Sequence, residues 1–166
     1  MQDRREKTEA RAAAETVEAF DIEAFLPYRL STLAEEVSHA LSAIYRDRFD
    51  LTRPEWRVLA ILAWNDGLSA AETGRRASLD KLDLGRAVRL LERKRDLTRK
   101  ISPNDKRTRL LCLTEQGRRL YSRIAPLALR RESELFSVLS TAEREVMLGM
   151  IDRVSTHIRR LADTGE

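Results

Sequence analysis

Arginine and lysine side chains crowd into one segment of the sequence, residues 75–109. Thirteen of the 31 basic residues lie there against five acidic ones, which gives the segment a net charge of +8. The rest of the chain sums to −4, although the whole chain of 166 residues carries only +4. Such a cationic block suits a polyanion, because each neutralised phosphate releases condensed counterions. A solvated charged face is the alternative that composition leaves open.

Other side chains that could do chemistry are few and widely spaced. Cys112 is the only cysteine, so the chain cannot form a disulfide within itself, and Cys112, His39 and His157 lack the number and spacing of a zinc site. The sequence contains no glycine-rich phosphate loop, nucleophile elbow or isolated carboxylate pair in an apolar segment. We therefore predict no enzyme activity, no cofactor and no metal.

Length and composition narrow the class of protein. A chain of 166 residues with 42% hydrophobic side chains, 35% charged side chains, six glycines and four prolines can bury a core. No apolar run approaches the roughly 18 residues that span a bilayer, and no apolar core of a signal peptide follows the first residues. We expect a soluble, cytoplasmic protein with no membrane partner.

Long helices are predicted at both ends of the chain. Residues 1–19 are expected to form a flexible N-terminal arm, and residues 20–50 contain a long amphipathic helix that ends near Arg48. Residues 115–166 give two more long helices, the second starting at a capping box at residues 140–143. Their apolar stripes exceed what one small domain buries, so we predict that these helices form a homodimer.

The intervening segment, residues 51–114, is built from shorter elements. Capping boxes at residues 52–55 and 69–72 start two short helices. Ser78 or Asp80 then caps a fourth helix, which carries several of the arginines.

After the fourth helix the pattern becomes extended. The runs at residues 97–101 and 107–113 flank a turn-forming cluster at residues 102–105, which predicts a two-stranded hairpin. Two short helices, an arginine-bearing helix and a basic hairpin form the order of a winged helix-turn-helix, whose recognition helix lies in the major groove of DNA. The predicted fold class is therefore mainly α with a small β-hairpin wing, a winged helix-turn-helix flanked by long dimerisation helices.

Five stretches between residues 51 and 117 carry a family likeness. They are LTRPEWRVL at residues 51–59, DK at 80–81, RAVRLLE at 86–92, SPNDKR at 102–107 and LTEQG at 113–117. With them the chain resembles the MarR family of winged helix-turn-helix transcriptional regulators. The resemblance implies a homodimer with two recognition helices in successive major grooves, two wings over the minor grooves, and commonly a repressor that a ligand releases.

The resemblance and the charge together select a set of DNA-binding candidates. Two half-sites about 34 Å apart would match a two-fold dimer on a nearly palindromic operator. Asp105 is expected to fix the wing through Arg107, so that Lys106, Arg107 or Arg109 enters the minor groove. The full set of candidates is Ser69, Lys81, Asp83, Arg86, Arg89, Arg99, Lys100, Asn104, Asp105, Lys106, Arg107 and Arg109.

Two places depart from the family pattern. Where the family often has a small polar residue early in the recognition helix, this chain has Leu82, Leu84 and Gly85, which predicts a different preferred DNA sequence or a lower specific affinity. Where the family commonly has Gly-Leu before the wing, this chain has Arg95 and Asp96, so we expect a left-handed arginine there, at a cost of about 1 kcal/mol.

The resemblance also suggests where an effector would bind. The matching positions are Tyr28, Arg29 and His39 in the first helix and Trp56 in the second, where aromatic faces beside a cation suit an aromatic acid or an aryl-CoA thioester. Packing aromatics at the dimer interface and core are the alternative.

Two other functions remain open at this point. One is a helical protein-interaction module, and the other is a redox-sensing regulator that uses Cys112. The apolar run around Cys112, residues 110–113, favours a buried, unreactive thiol.

Overall fold

The computed structural model describes residues 20–65 and 67–164. The predicted arm at residues 1–19 lies outside the described residues. The chain divides into two compact units, Met1–Ala40 and Leu41–Glu166, and each is described by itself. The predicted division into segments 51–114 and 115–166 stays a prediction.

Six helices and three short strands make up the described part of the chain. The helices are α1 (Leu26–Phe49), α2 (Arg53–Ala63), α3 (Ala70–Ala77), α4 (Lys81–Arg93), α5 (Glu115–Leu135) and α6 (Thr141–Thr164), and the strands are β1 (Leu68–Ser69), β2 (Leu97–Ile101) and β3 (Arg109–Leu113). This is the mainly helical winged architecture that the sequence predicted.

Local sequence signals explain where most helices begin. The capping box predicted at Thr52 and Glu55 is present, since Thr52 accepts from the amide of Glu55 and Glu55 accepts from the amide of Thr52. Asp80 caps α4 by accepting from the amide of Asp83 at 2.7 Å. The capping box at Ser140 and Glu143 is also complete, and α6 begins at the residue after the cap, Thr141.

Two predicted caps need correction. Ser69 does cap α3 through the amide of Glu72, but the side chain of Glu72 turns to Arg75 and Arg76 instead of completing a capping box. Ser78 is no N-cap, because it ends α3 in the left-handed conformation with φ of 51°. Asp80 alone therefore starts the recognition helix.

The sheet has one strand more than the predicted hairpin. The strand order is β1-β3-β2, and both pairs are antiparallel. Leu68 pairs with Leu111 and Ser69 with Leu110, so β1 ties the start of α3 to the wing. Strand β1 has only two residues and leads directly into a helix cap. It is too short to show the alternation of apolar and polar residues that predicts a strand, so the sequence did not predict it.

A continuous apolar core lies in the second unit. Val58, Leu59 and Leu62 of α2 are fully buried together with Leu91 of α4 and Leu111 of β3. At about 25 cal/mol per Å² of buried apolar surface, this cluster supplies the main stabilising term of the winged unit.

The last helix is built differently. No residue of α6 is buried, and its apolar side chains form an exposed stripe. Val146, Met150, Ile151, Val154 and Ile158 all lie at least partly in solvent. No helix in residues 20–65 and 67–164 is both long and apolar enough to cross a membrane.

Candidate nucleic-acid interface

The turn between α3 and α4 sets the position of the arginine-bearing helix. A β-carbon on Gly74 would lie 3.2 Å from Leu84 Cδ2, so the missing side chain lets α3 and α4 pack closely. Arg57 of α2 donates to the carbonyl of Ala77 at 3.3 Å and so holds the C-terminal end of α3. Partial burial lowers the pKa of Arg57 below its usual range.

One face of α4 anchors the helix and the other is open. Leu84, Ala87, Val88 and Leu91 are buried in the core. The opposite face carries Arg86, Arg89 and Arg93, all exposed, and Lys81 is exposed at the start of the helix. A shallow depression is lined by Arg86, Arg89, Leu90, Glu92 and Arg93. A cationic stripe on a projecting helix can approach phosphates and base edges together.

The turn of the wing is held by one carboxylate. Asp105 Oδ1 accepts from the backbone amide of Arg107 at 2.9 Å, and Oδ2 accepts from the hydroxyl of Thr108 at 2.6 Å. The hydrogen bond from Thr108, followed by the one from the amide of Arg107, holds the pKa of Asp105 below its usual range. The predicted link between Asp105 and Arg107 therefore exists, and it uses the amide of Arg107 and leaves the guanidinium available.

The basic side chains of the wing point into solvent. Lys100 lies on β2 opposite Leu110, and Arg109 on β3 opposite Ile101. Both are exposed, as are Lys106 and Arg107 at the tip. Asn104 is exposed too, and its backbone amide donates to Ser102 Oγ at 3.3 Å.

Part of the cationic block is paired with acidic side chains at the protein surface. Glu72 binds both Arg75 and Arg76, and these contacts lower its pKa. Arg99 donates to Glu92 at 2.8 Å, and this hydrogen bond raises the pKa of Arg99. The net charge of residues 75–109 thus overstates the uncompensated positive charge of this surface, since Glu72 lies outside that count.

A further cation of the block is turned inward. Lys94 Nζ lies 3.1 Å from Oε1 of Glu55, whose side chain is only 1% exposed. Oε1 accepts no hydrogen bond, so the negative charge of Glu55 is balanced by the positive charge of Lys94. Lys94 also donates to the carbonyl of Asp50. Lys94 thus ties the end of α4 to the junction between α1 and α2.

The joint between α4 and the wing is unusually tight. Arg95 has φ of 62°, the left-handed conformation that the sequence predicted. The side chain of Asp96 is buried and accepts from Gln116 Nε2 at 2.9 Å. Burial raises the pKa of Asp96 above its usual range. The motif Leu-Thr-x-x-Gly closes the joint, because Thr114 donates to the carbonyl of Arg95 and a β-carbon at Gly117 would overlap Asp96.

Ser69 and Asp83 each contact a residue three positions further along the chain. The hydroxyl oxygen of Ser69 accepts from the amide of Glu72 at 3.2 Å, which leaves its hydrogen for a phosphate. Asp83 lies 4.0 Å from Arg86, and this pair is solvent-exposed and therefore weak.

The effector candidates fall in both units. Tyr28, Arg29 and His39 are exposed on α1 within the first unit. Trp56, in the second, is stacked between Tyr45 and Tyr121 with ring centroids 6.3 and 6.0 Å away. Whether the four residues form one pocket stays a prediction.

This stack continues to the surface of the second unit. The indole of Trp64 donates to the hydroxyl of Tyr121 at 2.8 Å, while the Trp64 residue is 82% exposed. This aromatic row was not predictable from the sequence, because stacking joins residues far apart in the chain.

Cys112 is buried, as predicted. A β-carbon on Gly67, which has φ of 126°, would lie 2.9 Å from its sulfur. A thiol packed in this way lacks the exposure that oxidation requires. Among the described residues, no group of three or more His, Cys, Asp and Glu side chains could hold a metal ion.

Comparisons with known proteins agree with this geometry. Residues 49–108 match the sequence model of the MarR family. A proposed transcriptional regulatory protein for the hcr operon of Thauera aromatica is 30% identical over 97 residues, which cover 58% of each chain. An HTH-type transcriptional repressor of Mycobacterium tuberculosis is 29% identical over 133 residues, or 80% of this chain and 92% of the repressor.

Solved structures share the fold. The crystal structure of NadR in complex with 4-hydroxyphenylacetate is 26% identical to this chain, with a TM-score of 0.68. The alignment covers 80% of this chain and 92% of that chain.

Proposed function

Because this chain belongs to the MarR family of winged helix-turn-helix transcriptional regulators, we propose that it binds a pseudo-palindromic operator as a homodimer. The observation that carries the proposal is the face of α4 opposite the core, where Arg86, Arg89 and Arg93 project without burial, together with exposed Lys81 at the start of the helix. In this function α4 enters the major groove and its cations contact phosphates and base edges.

The wing supplies the second contact with DNA. Asp105 orders the tip through backbone and side-chain hydrogen bonds, so Lys106 and Arg107 are presented by a fixed turn. Cations held this way suit the narrow minor groove, whose negative potential is enhanced. Lys100, Asn104 and Arg109 flank the tip and complete the basic surface. Arg99 contributes less, because Glu92 already compensates its charge.

Dimer formation rests on the unburied apolar stripe of α6. Seven large apolar side chains of α6 are exposed in a single copy of the chain, and a second copy is the simplest partner that would bury them. A two-fold dimer then places two α4 helices on half-sites about one helical turn apart.

We also propose repression that a small aromatic acid, or its thioester, relieves. The relative from Mycobacterium tuberculosis is a transcriptional repressor, and the structural relative NadR is solved with 4-hydroxyphenylacetate. Exposed Tyr28, Arg29 and His39 offer aromatic, cationic and polar groups to such a carboxylate. Trp56 offers the edge of its indole, whose faces stack on Tyr45 and Tyr121. A regulator of this kind acts on the chromosome, which places it in the cytoplasm.

The test is the salt dependence of the affinity for DNA. Operator fragments are selected from a genomic DNA pool, and affinity is measured by fluorescence anisotropy across a range of salt concentrations. The proposal expects log affinity to fall linearly with log salt, with a slope that counts the neutralised phosphates. A flat slope, or no retention of duplex DNA, contradicts it and favours a protein-interaction module.

A further inference from the structure

One leucine on the recognition helix lies in solvent and not in the core of the protein. Leu82, in the first turn of α4, is 59% exposed. The neighbouring apolar residues Leu84, Ala87, Val88 and Leu91 are all buried in the core. An exposed leucine alone is ordinary, so its position among the other exposed residues decides its meaning.

Leu82 lies within the cationic stripe of α4. At about 100° per residue, Leu82 projects within about 20° of Arg89 and Arg93 and about 40° from Arg86. All three arginines are exposed. The stripe therefore begins with an apolar group and continues with cations.

A glycine lies next to Leu82 on the same side of the helix. Glycine within a helix is less stabilising than alanine. Packing within the protein does not require it at Gly85, because a β-carbon there would meet only Arg89 Nη1, at an ordinary 3.6 Å. Gly74 and Gly117, in contrast, each face a close neighbour. The helix surface beside Leu82 thus has no side chain of its own at Gly85, and only the end of the flexible Arg89 side chain lies near it.

We propose that Leu82 and Gly85 form an apolar reading surface for the 5-methyl group of a thymine in each operator half-site. Thymine is the base that presents a methyl group in the major groove, and apolar side chains recognise it by contact. The missing side chain of Gly85 lets the base pair approach the helix, and Leu82 covers the methyl. This inference rests on the proposed DNA-binding function and assigns part of its sequence preference.

The charges around Leu82 favour DNA as the occupant over an apolar protein surface. Lys81, Arg86 and Arg89 surround it and are all exposed. Burying three cations against an apolar partner would leave their charges uncompensated. A duplex provides phosphates for the cations and a methyl group for the leucine in one surface.

The experiment removes single methyl groups from the DNA. Each thymine of a selected operator half-site is replaced in turn by deoxyuridine, which keeps the base pair and deletes only the methyl. Affinity is measured by fluorescence anisotropy at fixed salt. We expect one position at which the substitution weakens binding about three- to fourfold, the value of burying one methyl group.

Variants of Leu82 identify the side chain responsible. Leu82→Ala should bind the thymine and deoxyuridine operators with nearly equal affinity, whereas Leu82→Met, which remains large and apolar, should keep most of the difference. If Leu82→Ala retains the full difference, or if no thymine position responds in the wild-type protein, the inference is wrong.

Gly85→Ala gives an independent readout. It should weaken binding to the selected operator while leaving affinity for unrelated duplex unchanged, and the melting temperature should stay equal or rise because alanine favours the helix. Unchanged operator affinity would overturn the role of Gly85. Failure of the proposed function looks different, since then no duplex shows a salt-dependent affinity at all.

Discussion

The α-carbon of Gly117 faces the backbone carbonyl of Asp96 so closely that a β-carbon at Gly117 would overlap that oxygen. Gly117 lies in the first turn of α5, and its amide donates to Thr114 Oγ1 at 3.1 Å. Asp96 lies between α4 and β2, and its carbonyl accepts from the amide of Thr114. The glycine therefore lets the start of α5 dock on the joint between the recognition helix and the wing.

Gly117→Ala should lower the free energy of unfolding by about 1–3 kcal/mol or more, the usual cost of forcing atoms into a packed site. Urea unfolding followed by circular dichroism measures it. Gly85→Ala is the matched control, because its β-carbon has room, and it should raise stability by up to about 1 kcal/mol. Equal effects of the two substitutions would show that the contact with Asp96 does not constrain the joint.

Asp105→Ala should disorder the wing tip without unfolding the protein. The carboxylate is lost, so the amide of Arg107 and the hydroxyl of Thr108 lose their acceptor. Hydrogen exchange at the amide of Arg107 should quicken, and operator affinity should fall. Asp105→Asn keeps one acceptor oxygen and should be intermediate.

The pH dependence of the wing follows from the same contacts. Because the folded state holds the pKa of Asp105 below its unfolded value, the stabilisation is complete at neutral pH. It is lost as pH falls through and below about 4, the ordinary range of an aspartate. Protection of the Arg107 amide should decline there in the wild-type protein and stay flat in Asp105→Ala.

Asp96 should show the opposite dependence on pH. Burial raises its pKa in the folded state, so its contribution to stability is greatest at low pH and falls as pH rises through that raised pKa. Asp96→Asn keeps an oxygen for Gln116 and carries no charge to desolvate. Thermal melts should therefore show the variant gaining stability over the wild type between pH 3 and pH 7, and a constant difference would contradict this.

Arg107→Ala should weaken operator binding and reduce the magnitude of the salt slope by about one, as expected for loss of one phosphate contact. Arg75→Ala is the control, since Glu72 already compensates Arg75. It should change the slope much less. If Arg107→Ala leaves both affinity and slope unchanged, the wing tip does not contact DNA.

Arg29→Ala and Trp56→Ala should abolish release of DNA by an aromatic carboxylate while leaving operator affinity itself intact. The probe is 4-hydroxyphenylacetate, the compound in the complex of the structural relative. Release is followed by anisotropy of labelled operator. Release that persists in both variants would place the effector site elsewhere.

The sequence predicted the order of elements because the signals were local. Thr52, Asp80 and Thr114 each precede a helix and cap it through hydrogen bonds within three residues. The left-handed Arg95 was also predictable, since the resemblance implied a turn there. Strand β1 was missed because its two residues gain their structure only from pairing with β3.

The candidate site was predicted less completely than the fold. Exposure of the basic residues of α4 and the wing follows from helical and strand periodicity. Compensation of Arg99 by Glu92 depends on the turn between α4 and β2, and that of Lys94 by Glu55 depends on packing between distant parts of the chain. A net charge for residues 75–109 includes Glu92 but not Glu55 or Glu72, so it does not show which cations are paired.

The aromatic row of the second unit provides the protein with an intrinsic optical probe. Trp56 and Trp64 are the two tryptophans of the chain, one stacked between tyrosines and the other at the surface. An aqueous quencher such as iodide should therefore reduce the emission of Trp64 first and leave a blue-shifted component from Trp56. Spectra of unlabelled protein can thus follow events near Trp56 during a titration, with Trp64 as an internal reference.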